Sequence, residues 1–315
     1  MSQTRAIAVI GAGMCGLTCA HALAEAGLPV RVFEKSRGIG GRMATRRAEG
    51  LAFDHGAQFM TARGAPFAEW LDGAVARGEA ADWTPRGLPA GQRRIVGVPK
   101  MTAPLRHLAD GLEVSLNAGV AAVVPEDDGL RLALADGTRT GIFARVVCTA
   151  PAPQAARLLA ADAALADALA RVAIAPCWTL MVAFDTAPGL PDAAEEPGEG
   201  IAFLAQSGTR PGRPDAPAWV MHATPEWSAA HLELDPDAAR ERMLELLGTL
   251  APLPRPAFAA THRWRHARTT APLGRPCAAS ADGRMLAGGD WTLDARIEAA
   301  FDSGKALAQA VVGGI

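Results

Sequence analysis

An α/β fold organised around a parallel sheet is predicted by three stretches of the 315-residue chain. The first is a run of β-branched and small apolar residues, Ala6-Ile-Ala-Val-Ile, that leads into Gly11-Ala12-Gly13-Met14-Cys15-Gly16 and then the Ala- and Leu-rich positions 17–27. Such a pattern is a buried parallel strand feeding a helix. The second is a strand pattern over 29–34 that ends in Glu34, 23 residues after Gly11. The third is a series of short apolar alternations between 112 and 148, punctuated by turn residues such as Asp136-Gly137, which reads as a β-meander.

The glycines of the first stretch have separate tasks. Gly11 permits a tight turn, Gly13 lets a pyrophosphate approach the backbone, and Gly16 lets the helix pack closely on the strand. Phosphates would lie on the helix N-terminus, where unpaired N–H groups and the helix dipole favour negative charge. Glu34 falls about where a ribose 2′-hydroxyl needs an acceptor, and its charge would repel a 2′-phosphate.

Half the residues are apolar, a fifth are charged, and the formal net charge is −2. Nothing in that balance recruits nucleic acid or an anionic membrane. The five cysteines are scattered and form neither a disulfide framework nor a metal signature. Cys15 and Cys19 are read as small core residues of the first helix. The first strand begins by Ala6 and no apolar run reaches membrane-spanning length, so a cytoplasmic protein is expected.

Further along, Lys35-Ser-Arg-Gly38-Ile39-Gly40-Gly41-Arg42-Met43 is a second glycine cluster that runs into Thr45-Arg46-Arg47. Its backbone N–H groups, with Arg42 near them, suit the far side of a dinucleotide's phosphates. In Phe53-Asp54-His55-Gly56-Ala57-Gln58-Phe59 a short strand carries a glycine where another backbone or a flat ring can come close. A helix is expected over 64–78, and Thr102 is expected to cap another, with Pro104 in its first turn. The meander is expected to use segments 112–116, 120–124, 130–134 and 144–149, followed by an Ala-rich helical stretch to Val172. Strands are expected at 178–184, 201–205 and 219–222, a helix at 236–250, and a surface loop over 185–200. Near the end, a strand closes in Gly288-Gly289-Asp290 before a helix from Arg296. An acidic residue there suits a polyol chain beside a phosphate, with the helix end facing an electron-rich ring edge.

GAGMCG with Glu34, GIGGRMATRR, DHGAQF, the strand around Val120, ADGTRTGIFARVVCTAP and LAGGDWTLDARIEAAFDSGKAL together resemble the flavin-containing amine oxidase and renalase superfamily. The resemblance implies non-covalent FAD. It implies that Gly11, Gly13 and Gly16 hold the pyrophosphate, with Ala12, Met14 and Cys15 in the same turn, and that Glu34 takes the adenosine ribose with Lys35 beside it. Gly41, Arg42 and Met43 would serve the phosphate and flavin side, and Gly56, Ala57 and Gln58 would lie along the isoalloxazine. The Val120 backbone would meet the adenine, Asp290 the ribityl-phosphate region, and the Ile297 amide the flavin N1/O2 edge. GVPKMTAPLRHLA, WVMHATPEWSAAHLE and HRWRHARTTAPLG are most similar to bacterial renalase-like proteins. That similarity implies hydride transfer from 2- or 6-dihydro-NAD(P) isomers to flavin N5, with O2 reduced to H2O2.

A dihydropyridine already carries a transferable hydride, so such an enzyme must mainly orient it and exclude water. Amine oxidases typically flank the flavin with an aromatic cage, often of tyrosines, whereas this chain has no tyrosine. Tryptophans could still build one, so oxidation of a small amine or desaturation of an apolar substrate stays open. A flavin-bearing protein without turnover is the alternative of another class. His222 and Trp264 are the candidate catalytic residues, facing the ring and a nicotinamide carboxamide, with core packing as the competing role for each. The expected architecture is a Rossmann-like FAD-binding domain with a β-meander, from 1–63, 100–150 and 268–315. It is joined to a mixed α+β substrate domain of amine oxidase/renalase type from 64–99 and 151–267.

Overall fold

The computed structural model describes residues 5–313. The chain divides into two compact units, one of Met1–Gly41, Leu105–Ile174 and Thr269–Ile315, the other of Arg42–Pro104 and Ala175–Arg268.

In the first unit, Ile7–Ile10 is buried along its whole length and lies parallel to Val30–Phe33 on one side and Arg145–Cys148 on the other. Met285–Ala287 and Glu113–Ser115 extend the parallel sheet outward, and Ala278–Ala279 adds an antiparallel edge. All-apolar strands of this kind need cover on both faces. The helices Met14–Glu25 and Ile297–Gly313 pack on each other closely enough that a Cβ on Gly304 would sit 2.5 Å from the Cys15 carbonyl oxygen. Another apolar cluster joins Ala8, Ile10 and Phe33 to Val123, Leu132 and Phe143, and to Leu159 and Leu165 of the helical stretch.

The meander is smaller than its sequence suggests. Only Val120–Glu126, Gly129–Leu134 and Arg139–Phe143 form the antiparallel sheet. The segments at 112–116 and 144–149 supply Glu113–Ser115 and Arg145–Cys148 to the parallel sheet instead. Alternation identifies a strand but does not name its partner. Residues 151–174, expected in the substrate domain, belong to the first unit, where Ala152–Leu158 and Ala163–Ala170 join the cluster around Ala8 and Ile10.

The second unit is built on a five-stranded sheet in the order Ala193–Gly198, Ile201–Gln206, Ala218–Ala223, Ala173–Phe184 and Pro256–Ala271. Its core sets Trp178, Leu180, Trp219 and Met221 against Met243 and Leu247 of the helix Pro236–Gly248. Residues 42–63, expected in the nucleotide-binding domain, fall in this unit, because Phe53 of the strand Leu51–Asp54 is buried against Met181 and Val220. Two further expectations are corrected. The 185–200 loop contains the strand Ala193–Gly198, paired with Ile201–Gln206. Thr102 caps no helix: residues 101–104 are turns, and a short helix begins at Leu105. Among the described residues no helix is long and apolar enough to cross a membrane.

Candidate functional site

The glycine turn of the first unit shows the three roles separately. Gly11 adopts φ +103°, and a Cβ there would meet the Thr149 hydroxyl at 2.7 Å. A Cβ on Gly16 would lie 2.0 Å from the Gly11 carbonyl oxygen. Gly13, by contrast, has nothing within 4 Å of where its Cβ would be. Two glycines are therefore demanded by the fold, while the third faces open space at the N-cap of Met14–Glu25. That helix has no side-chain cap and no acidic residue in its first turn. Uncapped amides beside an open backbone surface suit a diphosphate.

The buried Glu34 carboxylate accepts the Ala12 N–H at 2.8 Å through one oxygen and the Ser36 N–H at 2.8 Å through the other. Ala12 thus anchors the acid. Each carboxylate oxygen keeps a lone pair for a hydroxyl donor. The Gly40 N–H donates to the Ala12 carbonyl at 2.8 Å, and a Cβ on Gly41 would lie 3.6 Å from the Gly13 Cα. The Ala118 N–H donates to the Glu34 carbonyl, which brings the start of the Val120 strand beside Glu34 and Lys35. The Lys35 ammonium reaches Gln154 at 3.5 Å. At the other end of the turn, Gly289 N–H donates to the Ser303 hydroxyl, and buried Asp290 is close enough to Cys15 to act on it electrostatically. Burial pushes the Cys15 thiol up to about 12, so this cysteine is a neutral packing residue. Ile297 opens the last helix, flanked by an Arg296–Glu298 ion pair at 3.2 Å. In the first unit Gly11 to Gly16, Glu34, Lys35, Gly41 and the start of the Val120 strand meet at one strand–helix turn, Asp290 lies near Cys15, and Ile297 stands at the start of the last helix.

In the second unit, the Ala57 N–H donates to the Arg42 carbonyl at 2.8 Å, and a Cβ on Gly56 would sit 1.9 Å from that oxygen. Met43 is buried, and Arg42 also donates to the Ala267 carbonyl at 2.9 Å. His222 and Trp264 converge on a single acceptor. The Trp264 Nε1–H donates to the His55 carbonyl at 3.0 Å, and His222 Nε2 lies 3.3 Å from the same oxygen. The His55 ring stacks on Trp264 at 5.2 Å and meets His262 edge-on at 4.8 Å. Burial lowers both His222 and His55 to about 4, so both rings are neutral near pH 7.

A network that sequence reasoning missed fixes Gln58. Its Nε2 donates to the carbonyls of Asp54 and Gly56, and its Oε1 accepts from Arg210 at 2.6 Å. With both amide hydrogens committed, the His222 Nε2–H is the donor to the His55 carbonyl, and His222 Nδ1 is left as an acceptor. Arg210 is fully buried over the Trp83 ring, 4.6 Å from its centroid. Asp54 accepts from Arg213 at 2.6 and 3.1 Å and lies 3.9 Å from Arg210. One buried carboxylate therefore serves two buried guanidiniums. Asp54 stands inside the DHGAQF run, but nothing local marks Arg210 or Arg213 as its partners.

A model of the flavin containing amine oxidoreductase family matches residues 80–312, and one of a NAD(P)-binding Rossmann-like domain matches residues 9–72. A protein of Exiguobacterium sp. 255-15 named as a protoporphyrinogen oxidase superposes with a TM-score of 0.78 at 14% identity, over 99% of each chain. Putrescine oxidase bound to putrescine superposes at 0.71, also with 14% identity, over 98% of this chain and 99% of that one. At such identity these neighbours show a shared fold. The 4,4′-diapophytoene desaturases of Staphylococcus haemolyticus and Staphylococcus aureus are 48% identical over 50 residues, 16% of this chain. The match spans 10% of the length of those relatives. With the family model covering most of its length, the chain belongs to the flavin-containing amine oxidoreductase family.

Proposed function

We propose that the enzyme oxidises 2- and 6-dihydro isomers of NAD(P) to NAD(P)+, as renalase-like proteins do. One dihydronicotinamide, one O2 and one proton give one oxidised nicotinamide and one H2O2. FAD, when bound, supplies the two-electron acceptor. In this proposal Gly11 to Gly16, Glu34, Lys35, Gly41, Val120, Asp290 and Ile297 hold the dinucleotide, and Arg42, Met43 and Gly56 to Gln58 serve its flavin part. His222 Nδ1 accepts from the substrate carboxamide, and Trp264 packs beside it. A cytoplasmic setting belongs to the same proposal.

The observation that supports this choice is the charge around Gln58: two buried guanidiniums, one carboxylate and a neutral histidine. A surplus positive charge disfavours a protonated amine and suits a nucleotide carrying phosphates. A neutral imidazole also suffices, because a dihydropyridine losing hydride needs no base. The test is aerobic turnover of purified 6-dihydro-NAD with products followed by proton NMR and a peroxide assay. Equimolar NAD+ and H2O2 are expected. Unchanged 6-dihydro-NAD with turnover of putrescine-like amines would replace the proposal with an amine oxidase.

A further inference from the structure

The surplus charge has a route to Gln58. Arg213 is the close partner of Asp54, through two contacts of 2.6 and 3.1 Å, and is further tied to the Gly97 carbonyl at 3.0 Å. The remaining Asp54 oxygen receives the Thr45 hydroxyl and the Met101 N–H. Asp54 is thus saturated by donors that leave Arg210 outside, at 3.9 Å from the nearer carboxylate oxygen. Arg210 Nε is buried without a hydrogen-bond partner, and its strongest contact is the 2.6 Å bond to Gln58 Oε1. Burial lowers Arg210 only to about 10, so it stays a cation near neutrality. Arg94 adds a further buried guanidinium, over the Phe59 ring and bonded to the Pro89 and Gln92 carbonyls.

We propose that Arg210 is a positioning residue that locks the Gln58 amide and delivers its charge through it to the flavin, raising the two-electron reduction midpoint. The inference rests on the proposed placement of the isoalloxazine along Gly56 to Gln58, and it holds whichever substrate supplies the electrons. Two consequences follow from the same bond. A guanidinium has no acceptor, so Gln58 Oε1 must face Arg210 and its NH2 must face the Asp54 and Gly56 carbonyls. Reduction adds electron density to the ring, and a buried cation bonded to Gln58 favours that change more than the same charge would in water.

The experiment is an anaerobic redox titration of the FAD-loaded full-length protein, with visible spectra recorded at each step, on wild type, Arg210→Met and Gln58→Glu. Arg210→Met leaves Asp54 and Arg213 as a balanced pair. Gln58→Glu keeps the side-chain size and neutralises Arg210 with a carboxylate, at the loss of the amide donors to the Asp54 and Gly56 carbonyls, and gives a second reading of the charge where Arg210→Met fails to fold. Reduction is expected to become at least tenfold less favourable in each variant, a midpoint about 30 mV more negative. A Gln58→Glu protein whose flavin spectrum shifts while its midpoint stays at the wild-type value would overturn the role of the charge. Spectrum and midpoint both unchanged would overturn the flavin placement along with it. Neither result bears on whether dihydronicotinamides are the substrate.

Discussion

Removing the carboxylate of Asp54 leaves two buried guanidiniums without an anion, which is costlier than losing an exposed ion pair. Asp54→Asn is expected to destabilise the protein by about 3–5 kcal/mol in urea unfolding; a change below 1 kcal/mol would contradict the network. The histidines set a second expectation. Burial holds His55 and His222 neutral in the folded protein, down to about 4, while the unfolded chain takes up protons from about 6.5. Between those values the unfolded state binds more protons, so stability falls as pH falls, by up to about 1.4 kcal/mol per unit for each ring. Thermal melts from pH 7.5 to 4 should show it, and His222→Gln should flatten the slope. Of these residues, Gly56, Gln58, His222 and Trp264 stand out in the sequence, by glycine placement or as isolated chemistry-bearing side chains. Arg210 does not, since it lies 152 positions from Gln58 in a stretch with ordinary surface composition.

At the level of elements, the glycine turn separates folding from binding. Gly16→Ala would drive a methyl into the Gly11 carbonyl and is expected to unfold the turn, with loss of soluble protein or several degrees of melting temperature. Gly13 has a negative φ and open space around it, so Gly13→Ala should melt within about 2 °C of wild type. It should nevertheless bind FAD at least tenfold more weakly by fluorescence titration. Equal FAD affinity in Gly13→Ala would remove the pyrophosphate from this turn. The turn was readable because its glycine spacing is set by local sterics. The partners of 112–116 and 144–149 were not, because parallel pairing joins segments more than 80 residues apart and leaves no local mark. The edge strand Ala193–Gly198 was hidden by its Pro and Glu residues, which are tolerated where one side of a strand is unpaired.

For the molecule as a whole, the same sequence carries a dinucleotide turn in one compact unit and a buried, positively charged polar cluster in the other. The domain limits shift relative to the sequence expectation where apolar burial decides membership: Phe53 takes 42–63 into the second unit, and Leu159 and Leu165 take the helical stretch into the first. Family and cofactor were legible because their motifs are short-range. Substrate choice is not, because it depends on side chains assembled from distant segments. The most direct measurement of the central claim is anaerobic stopped-flow absorbance of the FAD-loaded enzyme mixed separately with 2-dihydro-NAD, 6-dihydro-NAD, ordinary NADH and a panel of primary amines and polyamines. Rapid bleaching of the visible flavin band by a minor dihydronicotinamide isomer, with NADH slow and amines inert, is the predicted result. Bleaching by amines with both minor isomers inert would contradict it.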